Sequence, residues 1–198
     1  MKLLITPTSP YARKAKIVAL EKKLPCDFIA VAPWDNDPQI VSVNPLRKVP
    51  VLIDDNHAVI LDSRVICEYL DALSDSPRFL PADAATRTAV KTREAIIEGA
   101  MDSALAIVMA GRIAPEMQHA AWRGWLMDKV DAALSYLEQT AATRNFDDLS
   151  DVACYCLLDT LLFRLGDSYH WQSKYPSLAA WFDRTGARES LKSTDPRE

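Results

Sequence analysis

Short apolar runs alternate with longer amphipathic stretches through the first third of the chain. "KLLIT" (2–6) predicts a strand, residues 10–23 a helix, and "CDFIAVA" (26–32) a second strand. A strand, a helix and a strand in that order form a βαβ unit, whose strands run parallel because the helix returns the chain to its starting end. After a polar, proline-containing stretch, "VPVLIDD" (49–55) and "AVILD" (58–62) are apolar runs separated by Asn56 and His57, the pattern of a hairpin. "DSRVICEYLDALS" then sets Val65, Ile66, Tyr69, Leu70 and Leu73 on one helical stripe, with Asp62 or Ser63 as cap. The order βαβ then ββα describes a small mixed sheet covered by helices, an α/β domain over residues 1–76.

Prolines 77 and 81 and weak apolar periodicity mark "SDSPRFLPADAA" (74–85) as a break, and residues 77–83 read as a linker. From Ala84 to residue 198 the pattern is all-helical, with helices over 84–112, 117–141, 149–166 and 176–187, ended or separated by Gly111, Pro115, Gly166 and Pro176. Ahead of the third of these, in "DDLSDVACYCLLDTLL", Asp148 stands as cap with Asp151 three residues on, an aspartate version of a capping box. Both charges suit the positive end of the helix dipole.

Composition narrows the functional classes. A chain of 198 residues, 49% apolar and 25% charged, is that of an ordinary globular protein. Its 27 acidic and 23 basic residues, with no long block of one sign, argue against a nucleic-acid or anionic-membrane surface. The apolar core of "MKLLIT" is too short for a signal peptide, and no run approaches the roughly 18 residues of a membrane span. A cytoplasmic protein is the expectation. Cys26 and Cys67 are isolated, and Cys154 and Cys156 lie two apart on a helix, so neither a disulfide framework nor a zinc site is written here. His57, His119 and His170 are equally scattered, and no metal is expected.

Three stretches could carry chemistry. In "TSPYARK" Ser9 precedes Pro10 at the foot of the first helix, which taken alone is a plain N-cap; Arg13, Lys14 and Lys16 read as a solvated face. In "NPLRKVPVL" Pro50 opens a strand, either as a trans edge proline or in a cis bond that would turn the backbone groups of Val49 outward toward an extended ligand. In "LDSRVI" the helix N-terminus and the Ser63 hydroxyl suit a carboxylate, and Asp62 an ammonium group. Asp62 and Ser63 are each equally a routine helix cap when taken singly.

Those three stretches in their order, the acidic cap "DDLSDVA" and the all-helical second half resemble the glutathione S-transferase family over nearly the whole chain. The resemblance implies a thioredoxin-like domain, an all-helical domain, a homodimer, and glutathione as co-substrate. It implies that Ser9 activates the glutathione thiol, with Thr8 as a neighbour able to share that role. Val49 with a cis Pro50 would clamp the glutathione backbone, Lys48 would face its backbone or glycyl end, and Asp62 and Ser63 would hold the γ-glutamyl group. Asp102 would reach the γ-glutamyl amine across the dimer. An apolar electrophile would lie between Tyr11 and a stripe of Met101, Leu105, Val108, Met109 and Arg112, positions that also suit a bundle core. Arg47 stands where many relatives have glycine, and is read as solvated. No cysteine occurs in residues 1–25, which disfavours thiol exchange through the enzyme and with it glutaredoxin-like and omega-like chemistry. The rival reading is a non-catalytic ligand- or protein-binding module resembling the stringent-starvation branch of the family.

Overall fold

Strand β1 (Lys2–Ile5) is central in the sheet, with Leu3, Leu4 and Ile5 all buried, which is why the run is continuously apolar rather than alternating. The computed structural model describes residues 1–113 and 119–197. Helix α1 (Pro10–Glu21) connects β1 to β2 (Asp27–Ala30), which pairs parallel to it with Leu4 opposite Ile29. On the other side β3 (Val51–Ile53) runs antiparallel to β1, and β4 (Val59–Leu61) antiparallel to β3, giving the order β2-β1-β3-β4. Asp54 closes the hairpin: its Oδ1 accepts the Asn56 and Ala58 N–H groups at 2.9 and 2.8 Å, and its Oδ2 the Tyr69 hydroxyl at 3.0 Å.

Between β2 and β3 the stretch that the pattern left without structure holds a 3-10 turn (Pro33–Asp35) and a one-turn helix α2 (Pro38–Val41), capped by Asp37. Helix α3 (Ser63–Ala72) follows β4 and packs on α1. Its buried face is Ser63, Ile66, Cys67, Leu70 and Asp71, so the stripe read from the sequence is corrected: Val65 and Leu73 are 54% and 44% exposed. Arg13 and Lys14, read as solvated, are buried at 5% and 1% exposure.

The expected linker is also corrected in its first half. Phe79 and Leu80 are buried, and their N–H groups donate to the two oxygens of the Asp71 carboxylate at 2.8 and 2.9 Å. Lys22 Nζ meets Asp71 Oδ1 at 3.1 Å and the carbonyls of Ser74 and Pro77 at 2.7 and 2.6 Å. Fixed backbone groups, not apolar periodicity, hold this segment, and the division between the chain's two units falls after Pro81.

The second unit, Ala82–Ala187, comprises α4 (Ala84–Ile113), α5 (Ala120–Ala141), α6 (Leu149–Leu165), α7 (Trp171–Lys174) and α8 (Pro176–Thr185). Gly111 does not end α4, which runs through it; Pro115 and the expected start of a helix at 117 lie outside the described residues. α6 is buried on nearly every side between its neighbours, so both Cys154 and Cys156 are enclosed. Asp148 Oδ1 accepts the N–H groups of Ser150 and Asp151 at 2.8 and 3.3 Å, and Asp151 Oδ2 accepts that of Asp148 at 3.0 Å.

From Arg188 the chain rejoins the first unit, where the sequence pattern had assigned it to the helical one. Helix α9 (Glu189–Lys192) sits beside α1, and Arg13 donates to Leu191 O at 3.0 Å and Thr194 Oγ1 at 3.2 Å. Glu21 accepts from Arg188 at 2.9 and 2.7 Å and from the Ser190 hydroxyl.

Candidate functional site

Register in the sheet brings the sequence candidates of the first unit to one end of it. Leu4, Val51 and Leu61 lie side by side in a row across β1, β3 and β4, with neighbouring strands about 4.8 Å apart. β1 leaves this row toward Ser9, β3 enters it from Val49 and Pro50, and β4 leaves it directly into Asp62 and Ser63. Three short motifs far apart in sequence therefore share one end of the sheet.

Ser9 is half-buried and is the N-cap of α1, its Oγ accepting the Ala12 N–H at 3.2 Å. A hydroxyl has acceptor lone pairs and one donor proton, so capping leaves the proton available to a ligand at the positive end of the helix. Thr8, beside it, is exposed, and Tyr11 is half-buried in the first turn.

The loop 44–50 is organised by Asn44, which the sequence reading passed over. Its side chain is only 4% exposed in context, donates to Lys48 O at 2.8 Å and accepts the Leu46 N–H at 2.9 Å. An asparagine before proline is a turn signal, and that was the clue available. The Val49–Pro50 peptide is cis, and Val49 precedes the paired residues of β3, so its backbone groups take no part in that ladder. Lys48 is exposed. Arg47 is exposed too, but not merely solvated: it has φ 53° and donates to Asn36 Oδ1.

Asp62 caps α3, accepting the Arg64 N–H at 2.9 Å, with φ 69°. Its carboxylate also takes Arg64 Nε and Nη2 at 3.2 and 3.3 Å. Burial raises its pKa, but the Arg64 hydrogen bonds and the charges of Arg64 and Lys14 outweigh it and leave the carboxyl below its ordinary value. It is an anion near neutral pH, and its exposed pairing with Arg64 is weak enough to yield to an ammonium group. Ser63 is buried at the first helical position. Lys14 was missed because a charged residue on a helix reads as solvated.

In the second unit Asp102 is exposed on α4. Met101 is 2% exposed and belongs to the bundle core; Leu105, Val108 and Met109 are half-buried, and Arg112 is exposed. Val108 and Arg112 line a hollow of about 380 Å³ within this unit. No helix among the described residues is long and apolar enough to cross a membrane.

Comparison with known proteins adds to this geometry. Residues 3–78 match the glutathione S-transferase N-terminal domain. Over 201 aligned residues the chain is 30% identical to YibF, an uncharacterized GST-like protein of Escherichia coli, covering 99% of this chain and 98% of that one. A glutathione S-transferase of Methylobacillus flagellatus, solved with GSH bound, superposes with a TM-score of 0.91 at 37% identity over 98% of each chain. A glutathione transferase family member from Pseudomonas fluorescens, with bound glutathione, gives 0.89 at 32% identity, again over 98% of each. The likeness extends across the thioredoxin-like βαβ-ββα unit and the all-helical unit alike.

Proposed function

Because the chain belongs to the glutathione S-transferase family, we propose that it is a glutathione transferase that stabilises the glutathione thiolate for attack on an electrophilic carbon. The observation that carries this reading is the row of Leu4, Val51 and Leu61, beyond which Ser9, Val49 and the Asp62–Ser63 pair all follow at one end of the sheet. The two structural relatives with glutathione bound support it.

Each residue has a separable task. Val49 pairs its backbone with the cysteinyl backbone of glutathione, as an added strand would. Asp62 takes the γ-glutamyl ammonium, the Ser63 hydroxyl and the N-terminus of α3 take its carboxylate, and Lys48 faces the glycyl end. Ser9 donates to the sulfur. A free thiol titrates near ~8.5, so only a few per cent is thiolate at neutral pH. Lowering that value by about two units takes roughly 2.7 kcal/mol of selective stabilisation. One hydrogen bond to a charged group contributes about 1.5–3 kcal/mol, and the end of α1 up to about 1 more. The sum suffices without a metal or a histidine. The proton leaves to solvent, the sulfur adds to the electrophile, and the leaving group departs with the electron pair.

Tyr11, in the first turn of α1 close to Ser9 in sequence, is assigned to the electrophile. A homodimer in which Asp102 approaches the partner's γ-glutamyl amine completes the proposal. Its free cysteines, three of the four buried, fit a reducing compartment such as the cytoplasm.

The test is a titration of bound glutathione, following thiolate absorbance against pH in the wild type and in Ser9→Ala. A thiol pKa depressed in the wild type and restored toward ~8.5 in the variant is the expected result. Bound glutathione with an unshifted pKa would refute the catalytic role, and no binding at all would leave the protein-binding reading in its place.

A further inference from the structure

Helix α1 is tied at two points to the segment that returns to it from Arg188 onward. Arg13 is 5% exposed, and its guanidinium donates through Nη2 to Leu191 O at 3.0 Å and through Nε to Thr194 Oγ1 at 3.2 Å. The Thr194 hydroxyl in turn donates to Ser190 O at 2.8 Å, so its proton is engaged and a lone pair is left for Arg13. At the far end of α1, Glu21 takes Arg188 Nε and Nη2 at 2.9 and 2.7 Å and the Ser190 hydroxyl. All of these residues belong to the first unit.

A buried guanidinium is costly to remove from water, and an apolar side chain of similar volume would fill the same place at lower cost. What the arginine adds is direction. Apolar contact permits sliding, whereas a hydrogen bond weakens steeply once its length or angle departs from the ideal. Arg13 and Glu21 lie eight residues apart, about 12 Å along a helix that rises about 1.5 Å per residue. A single tie leaves a helix free to pivot; two ties at that separation fix its axis. The first of them stands one turn beyond Ser9, and the Arg13 N–H closes on Ser9 O at 2.9 Å. A displacement of Arg13 is therefore passed to the cap.

We propose, on the assignment of Ser9 to the glutathione sulfur, that Arg13 is a positioning residue: pinned by Leu191 and Thr194, it holds the start of α1 so that the Ser9 hydroxyl stays within hydrogen-bonding distance of that sulfur. It acts through the helix, since its guanidinium is directed at the returning segment. The groups assigned to the rest of glutathione stand on the loop before β3 and at the start of α3, not on α1. A misplaced Ser9 therefore raises the thiol pKa without loosening the hold on the rest of the molecule.

The experiment titrates bound glutathione by thiolate absorbance in the wild type, Arg13→Gln, Arg13→Lys, Thr194→Val and Thr194→Ser, with Ser9→Ala as reference. Arg13→Gln, Arg13→Lys, which keeps the charge but not the fork, and Thr194→Val are each expected to raise the thiol pKa by at least about half a unit, an about threefold change in its acid constant. Thr194→Ser keeps the hydroxyl and is expected to match the wild type. Glutathione affinity, measured by calorimetry at about pH 5.5 where the bound thiol is protonated, is expected to stay within about twofold in all of them. Melting followed by circular dichroism shows which variants fold; if the Arg13 variants do not, Thr194→Val, which exchanges one hydroxyl for a methyl, carries the comparison. An unchanged pKa in Arg13→Gln and Thr194→Val beside a raised one in Ser9→Ala would overturn the positioning role and leave that of Ser9 intact. A wild-type pKa in Arg13→Lys would make Arg13 a charge and not a tie, and affinity lost in step with the pKa would make it a part of the fold alone; either overturns the proposal. An unmoved pKa in Ser9→Ala would remove the assignment of Ser9 and the role of Arg13 together.

Discussion

In the proposed reaction one oxygen, that of Ser9, serves two partners. The lone pair that caps α1 and the proton offered to a thiolate are different valences of the same hydroxyl, so Ser9→Ala removes both. Loss of a charged hydrogen bond worth about 1.5–3 kcal/mol predicts a fall of roughly 10- to 150-fold in kcat/KM with a reactive model electrophile. Loss of the cap predicts a drop in stability of about 0.5–2 kcal/mol, read from urea denaturation. Ser9→Thr, which retains both valences, should recover most of the stability. A pure cap would show the second effect without the first. Arg47 presents the opposite case, a side chain at a backbone position that suits glycine. Its φ of 53° is left-handed, a conformation that strains any residue with a Cβ. Arg47→Gly should therefore raise stability by about 1 kcal/mol despite losing the contact to Asn36, and an unchanged or lower urea midpoint would contradict the strain argument.

At the scale of elements, the start of α6 is a charged device in an enclosed place. Asp148 takes Arg93 Nη2 at 2.6 Å, and Arg144 Nη1 lies 3.2 Å from Asp151 Oδ1. Burial, reinforced by the Asp148 charge, pushes the Asp151 carboxyl up to about 6 in spite of Arg144 and two backbone donors. An unfolded aspartate releases its proton near ~3.9, so between about pH 4 and 6 the native chain holds more protons than the unfolded one. The contribution of Asp151 to stability thus falls as pH rises through that window and is level above it. Asp151→Asn should flatten the difference, and the informative quantity is wild type minus variant, because carboxyls with lowered pKa, such as Glu21 and Asp131, slope the other way. This junction was legible in sequence because its signal is local: a cap, a partner three residues on and an apolar run. The four strands, α1 and α6 were legible for the same reason. The one-turn α2 was not, since four residues hold too little periodicity to register. The α3 stripe was misread because apolar residues occupy more than one face of that helix, and only packing on α1 selects Ile66 and Leu70 over Val65 and Leu73.

At the scale of the whole chain, what the sequence hid was mostly charge in unexpected places. Lys22 and Asp71 are almost fully enclosed, and their ion pair gathers the end of α1, the end of α3 and the segment up to Leu80. Nothing within a window around either residue announces a partner 49 positions away. Asp71→Ala leaves a buried ammonium short of its counter-ion and two backbone donors without acceptors, and should cost about 3–5 kcal/mol by urea denaturation, more than Asp71→Asn. The candidate site was legible further than this core, because its motifs sit at strand ends and helix starts, where residue type follows backbone geometry. Asn44 and Lys14 escaped since their roles depend on what surrounds them.

The return of the chain to its first unit at Arg188 sets an order of events during synthesis. Arg13 is made well before its partners, since two of its hydrogen bonds end on Leu191 and Thr194, 178 and 181 positions later. At about 5–20 residues per second a ribosome needs roughly 10–35 s to supply them. The helical unit, continuous from Ala82 to Ala187, has all its residues in hand before the sheet unit does. Of the two units, the one begun first is completed second, and a nascent chain halted at Ala187 would hold α1 without the Leu191 and Thr194 acceptors of Arg13.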